Sequence, residues 1–235
     1  MSKAKLPVTI YIAGDSTACV YTRDRYPRAG WGQVLQGFFS EKDVVVQDRA
    51  VSGRSSRSFS AEGYLGEIAK SIRDNDYFLI QFGHNDEKSR AALHTDPATS
   101  FKACLTQYIK VARDKGAIPV LLTPVNRNKF DSSGQLIPTH GDYPRAMIEL
   151  GRELQVPVID ITAKSRVLFE TLGAETTYKL FMNLQPGENP NYPEGNRDNT
   201  HLTVNGAAEI ARLVIDGLQE AHLPVIQYLK PDPAA

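Results

Sequence analysis

The chain predicts an α/β fold: a three-layer α/β/α sandwich built on a five-stranded parallel sheet, flavodoxin-like in its layering. Two observations carry this. Five short apolar, β-branched runs recur along the sequence, separated by segments of helical periodicity. The third of these runs is apolar on both faces, as a strand covered by helices on each side must be. Right-handed crossovers then place helices on both faces of the sheet. The 235 residues contain no internal repeat and suit one domain over 1–235.

In order, Pro7–Ala13 reads as the first strand and Gly30–Phe39 as an amphipathic helix with Trp31, Val34, Leu35 and Phe38 on one face. Val44–Val46 is the second strand, Ala61–Ile72 a helix, and Tyr77–Phe82 the third strand. Asp96–Lys115 is a long helix, with Asp96 as N-cap and Pro97 at its first position. Ile118–Leu122, Tyr143–Leu154, Val156–Ile161 and Thr203–Ala221 complete the alternation as strand, helix, strand and helix. Two stretches, Thr123–Asp142 and Asn183–Thr200, read as long loops of the kind that carry function. In open α/β sheets, ligands bind outside the carboxyl ends of the strands.

Composition narrows the function. Lys and Arg number 27, as do Asp and Glu, so the formal net charge is 0 and nothing favours a nucleic-acid or membrane partner. No run approaches the ~18 apolar residues of a spanning helix. Cys19 and Cys104 are the only cysteines, which argues for reduced thiols rather than a disulfide framework. Met1–Lys5 carries positive charge, but the apolar run after it is short and strand-like and no cleavage site follows; a cytoplasmic location is the expectation. No glycine-rich phosphate loop is present, and no cofactor is called for.

The chemistry concentrates in a few short segments. Ser16 follows Gly14 at the exit of the first strand, where a sharp turn would present its hydroxyl at the sheet's carboxyl edge. Asp15-Ser16-Thr17 also fits a simple turn or helix cap. Asp198 precedes His201 by one turn's spacing, which lets its carboxylate accept from Nδ1–H and leaves Nε2 to take a serine proton. Thr200 or Thr203 is placed to cap the last helix. A metal reading would join Asp198 and His201 to His84 and Asp86, but no closely spaced set completes three or four ligands. Gly53 and Asn85 follow the second and third strands, each placed to donate an N–H to a developing oxyanion.

Gly14-Asp-Ser-Thr17, Gly53, Gly83-His-Asn-Asp86 and Asp198-Asn-Thr-His201 resemble, in order and spacing, the four blocks of the GDSL or SGNH hydrolases. The resemblance spans nearly the whole chain. It implies Ser16 as nucleophile, His201 as base, Asp198 as the acid that orients it, and an oxyanion hole of Ser16 N–H, Gly53 N–H and Asn85 Nδ2. Within that superfamily Ala13–Thr17, Gly30-Trp-Gly32, Arg49–Ser58, Gln81–Asp86 and Asp198–Gly206 are similar to rhamnogalacturonan acetylesterases. That implies deacetylation of an acidic pectic polysaccharide or oligosaccharide, with no metal and no cofactor.

Arg54, Arg57, Arg127, Lys129 and Arg197 lie in predicted loops at the catalytic edge, where they can pair with substrate carboxylates; Tyr192 or Trp31 can offer a stacking face to a sugar. The alternatives keep the chemistry and change the substrate (xylan, sialate, peptidoglycan or small acyl esters), or discard the chemistry for a carbohydrate-binding relative. The polar loops Asn126–Gly134 and Gln185–Asn199 favour carbohydrate over long acyl chains.

Overall fold

In the computed structural model, which describes residues 6–231, the strands β1 (Val8–Gly14), β2 (Val44–Asp48), β3 (Tyr77–Gln81), β4 (Ile118–Leu122) and β5 (Val158–Ile159) form one parallel sheet in the order β2-β1-β3-β4-β5. The segment Met1–Lys5 lies outside the described residues. The helices are α1 (Trp31–Leu35), α2 (Ser56–Ala61), α3 (Tyr64–Ser71), α4 (Lys102–Asp114), α5 (Tyr143–Leu154), α6 (Ile161–Tyr178) and α7 (Val204–Glu220).

Alternation along the strands builds two cores. Ile10, Ile12, Leu79, Val120 and Leu122 face one side, where Trp31 of α1, Phe169 of α6 and Ile210 and Val214 of α7 cover them. Tyr11, Ala13, Phe78, Ile80 and Leu121 face the other, against Phe59 of α2, Leu65 and Ile68 of α3, Leu105 and Tyr108 of α4 and Met147 of α5. Each fully buried Leu, Ile or Phe contributes roughly 1.5–3 kcal/mol of transfer free energy, so both layers are held chiefly by this burial.

Register sets the carboxyl edge. Gly14 pairs with Gln81 and Gln81 with Leu122, while Ile12 of β1 pairs with Asp48 at the end of β2. The strand exits are therefore nearly level, and the order reverses between β1 and β3. A ligand crevice belongs at that switch point.

Several elements depart from the sequence expectation. The helix expected over Gly30–Phe39 is α for Trp31–Leu35 and tightens to a 3₁₀ turn at Gln36–Phe38. The helix expected over Ala61–Ile72 starts only at Tyr64, because Gly63 takes a left-handed φ of 90°, and the residues before it, Ser56–Ala61, form a separate helix that the sequence pattern did not signal. The long fourth helix begins with a π-helical turn over Pro97–Phe101, and Asp96 caps it by accepting from Thr99 N–H at 3.0 Å. The fifth strand shrinks to Val158–Ile159, and α6, which sequence periodicity did not signal, follows at once. Its buried residues Ile161, Ser165, Phe169 and Thr177 are half polar, Val167 is 66% exposed, and Gly173 kinks it at φ 73°. No apolar stripe exists there to be read. No described helix is long and apolar enough to cross a membrane.

Candidate active site

Each strand exit supplies one part of the site. After β1 the chain turns on Asp15, whose Oδ1 accepts from Thr17 N–H and from the Thr17 hydroxyl, both at 2.9 Å. The turn reading of this segment thus belongs to Asp15, and Ser16 is left lining the crevice. Gln81 anchors the turn from β3: its Oε1 accepts from Trp31 Nε1 at 2.7 Å and its Nε2 donates to Thr123 O at 3.3 Å. Trp31 is fully buried by this role and offers no sugar platform. Gly14 is needed for space rather than for an unusual φ, since a Cβ there would meet Ala18 and Gln81 O at 3.1 Å.

After β2, Gly53 sits at φ 79° in the turn before α2, a conformation that glycine adopts without penalty. Ser56, at the start of α2, donates from its N–H to both Asp86 oxygens at 3.1 Å, and Thr95 Oγ adds a bond of 3.0 Å. This buried network ties the β2 and β3 exits together. Burial pushes the Asp86 carboxyl up to about 6 against these hydrogen bonds.

After β3, Asn85 is buried with its amide held at both ends: Nδ2 donates to Arg54 O at 3.0 Å and Oδ1 accepts from Lys88 Nζ at 2.6 Å. An ammonium group only donates, so the Lys88 contact assigns the amide orientation. One hydrogen on Nδ2 remains. Among the described residues, the N–H groups of Ser16 and Gly53 have no acceptor in the protein.

Asp198 and His201 arrive together ahead of α7. Thr203 is the cap of that helix, its Oγ1 accepting from Gly206 N–H at 3.2 Å, which leaves His201 outside the first turn. Asp198 Oδ1 accepts from the N–H groups of Thr200 and His201, each at 2.9 Å, while Oδ2 faces His201 Nδ1 at 2.6 Å. Arg28, which the sequence reading missed, adds a weaker contact to Oδ2 at 3.4 Å. Burial would raise the Asp198 carboxyl, but the His201 ring, the His201 N–H and the Thr200 N–H outweigh it and hold it at about 2.

The five residues named for triad and oxyanion hole, Ser16, Gly53, Asn85, Asp198 and His201, line one crevice of about 320 Å³ with Ser52, His84, Lys88, Arg127 and Thr200. Every lining residue is polar or glycine. Ser16 and His201 share this crevice without a hydrogen bond between them, a looseness common before substrate closes such contacts. Arg127 pairs with Glu87, which also faces His140 Nδ1 at 3.1 Å. The other named side chains lie elsewhere. Arg197 lines an adjoining crevice with Tyr178, Asn183, Asp198 and Asn199; Arg54 pairs with Glu62 at 2.8 Å; Arg57 reaches Ala91 O at 3.4 Å; and Tyr192 donates to Arg25 O at 3.0 Å.

His84 and Lys88 line the crevice too, and nothing in the sequence marks either as a crevice residue. Burial first, then the charges of His140, Arg127, His201 and Lys88, depress the His84 imidazole well below its ordinary value, so it stands neutral in the wall. Both cysteines are free thiols, and among the described residues no three His, Cys, Asp or Glu side chains gather as a metal site.

A family model described as GDSL-like Lipase/Acylhydrolase matches residues 12–209. The chain belongs to this family. It is 47% identical over 225 residues to the rhamnogalacturonan acetylesterase RhgT of Bacillus subtilis, covering 96% of this chain and 95% of that one. It is 29% identical to the rhamnogalacturonan acetylesterase of Emericella nidulans, over 88% and 82% of the two chains. Among solved structures, protein YxiM of Bacillus subtilis superposes with a TM-score of 0.81 at 30% identity, covering 93% of this chain and 58% of that one. An acetyl xylan esterase at 18% identity, over 91% of this chain and 99% of that one, shares the fold with a TM-score of 0.59.

Proposed function

We propose that this GDSL-family chain is a serine acetylesterase that removes acetyl groups from acetylated rhamnogalacturonan or its oligosaccharides through an acyl-enzyme. The carrying observation is the 2.6 Å pairing of Asp198 with His201 Nδ1 in the crevice that Ser16, Gly53 and Asn85 also line. With Nδ1–H held by the carboxylate, Nε2 is the basic nitrogen and takes the Ser16 proton as Oγ attacks the acetyl carbonyl. The N–H groups of Ser16 and Gly53 and the remaining Asn85 Nδ2 hydrogen receive the oxyanion. The imidazolium returns its proton to the departing sugar oxygen. Water, deprotonated by the same nitrogen, then releases acetate.

Two observations support a short acyl group on a sugar. Every residue lining the crevice is polar or glycine, so no large aliphatic or aromatic side chain stands there to receive a fatty chain. The extensive identity to a rhamnogalacturonan acetylesterase supports the pectic substrate. The test is acetate release from acetylated rhamnogalacturonan, xylan and peptidoglycan beside aryl esters of graded chain length, for wild type and Ser16→Ala. Preference for long acyl chains, or an active Ser16→Ala enzyme, would overturn the proposal.

A further inference from the structure

Lys88 stands in the crevice with no role in the reaction just described. It follows Asn85 by one turn, its backbone N–H donating to Asn85 O at 3.2 Å and its ammonium to Asn85 Oδ1 at 2.6 Å. The neighbouring cations are neutralised: Arg127 by Glu87, Arg54 by Glu62 and Arg28 by Asp198. Among the described residues no carboxylate pairs with Lys88, so the Asn85 amide oxygen is the partner its charge has. The other end of that amide is fixed by Arg54 O at 3.0 Å.

A cation on an amide oxygen favours the resonance form with negative oxygen and positive nitrogen, which makes N–H a stronger donor. The Arg54 carbonyl takes one Nδ2 hydrogen, and Lys88 keeps the plane from flipping, so the second hydrogen has one direction left. We infer that Lys88 is a positioning residue for the oxyanion hole: it locks the Asn85 amide and polarises it toward the tetrahedral intermediate. The inference rests on the reading of Asn85 as an oxyanion donor.

The experiment is a double-mutant cycle of Lys88→Met and Asn85→Ala on a neutral aryl acetate, with the rate of inactivation by an aryl phosphonate as second readout. The phosphonate places a tetrahedral oxygen where the oxyanion forms, so its reaction with Ser16 reports the hole without turnover. Asn85→Ala should lower kcat by roughly 10²–10³. Lys88→Met should lower kcat roughly tenfold, less than loss of the donor itself because the charge acts through the amide from a solvated position. KM should stay within about twofold, phosphonylation should slow with kcat, and Lys88→Arg should restore most of the loss. In the Asn85→Ala background, Lys88→Met should change kcat by less than about twofold, because a residue acting through another is silent once that one is gone.

Multiplicative effects in the double variant would overturn the inference, as would an unchanged kcat in Lys88→Met. A rise in KM confined to acidic acetylated saccharides would overturn it too, by making Lys88 a substrate-anion contact. Wild-type turnover by Asn85→Ala would remove the oxyanion reading itself; an impaired Asn85→Ala beside an unimpaired Lys88→Met would remove only the role of Lys88. Lys88 is exposed, so a matched urea midpoint is expected and checks that folding is intact.

Discussion

Replacing Asp198 by Asn tests the catalytic pairing at its most constrained atom. Oδ1 already accepts two backbone N–H groups at 2.9 Å, so an introduced amide must keep its oxygen there. Its nitrogen then takes the Oδ2 position, 2.6 Å from His201 Nδ1. An N–H facing Nδ1 forces that nitrogen to accept, which moves the imidazole proton to Nε2, the atom that must take the serine proton. The wrong tautomer is built in. By comparison with triads in general, Asp198→Asn should lower kcat by roughly 10³–10⁴, or about 4–5.5 kcal/mol of transition-state stabilisation.

Stability should change far less. The Asp198 carboxyl sits at about 2 against an ordinary 3.8, on the order of 2 kcal/mol before solvent screening and nearer ~1 after it. The shift is downward, so this contribution is present above the unfolded value and is lost as pH falls through about 2. The assay is kcat on an aryl acetate near neutral pH, with urea midpoints at neutral and acid pH. A variant within about tenfold of wild type would refute the tautomer argument, since the tautomer alone is asked for far more.

Three further outcomes follow from the coordinates. Ser16→Ala should abolish acetate release and phosphonate labelling while the urea midpoint holds within about 0.5 kcal/mol, because Ser16 Oγ makes no hydrogen bond among the described residues and sits at the crevice rather than in a core. Gly30→Ala should fail to fold or lose several kcal/mol, on the order of an overpacked core site or worse, because its Cβ would overlap the backbone of Ala18 and Cys19; solubility and circular dichroism decide it. Asp48 is raised to about 7 by burial, with Oδ2 lacking a partner, so its contribution to stability is present below about 4 and lost as pH rises through about 7. Asp48→Asn should therefore raise the urea midpoint at pH 8 more than at pH 5, and an equal change at both would show that the carboxyl is not the cause.

Much of the fold was legible because its signals are local. The strands at Ile118–Leu122 and Tyr77–Gln81 are short apolar runs flanked by polar turns, and the helix at Tyr143–Leu154 carries a clear apolar face that buries Ala146, Met147 and Leu150. Where the pattern failed, the cause is physical. α6 buries as many polar as apolar side chains and is kinked at Gly173, so it shows no apolar period, and the π turn at Pro97–Phe101 is a local change of hydrogen-bond step that periodicity does not register. The loop arginines divided for a similar reason. Arg127 and Arg54 read alike in sequence, yet only Arg127 reaches the crevice, while Arg54 turns to Glu62 and stacks over Tyr64.

Sequence by itself determined which chemistry-bearing residues exist and where each stands relative to a strand exit: Ser16 after β1, Gly53 after β2, Asn85 after β3, and Asp198 with His201 before the last helix. Order along the chain and local periodicity suffice for that, because both are properties of neighbouring residues. Only the tertiary structure decided which side chains meet. Register levels the strand exits, Arg54 O and Lys88 hold the Asn85 amide from two sides, and backbone N–H groups hold one Asp198 oxygen so that the other faces the imidazole. Such choices depend on distances of a few ångströms between segments far apart in sequence, and no local pattern encodes them.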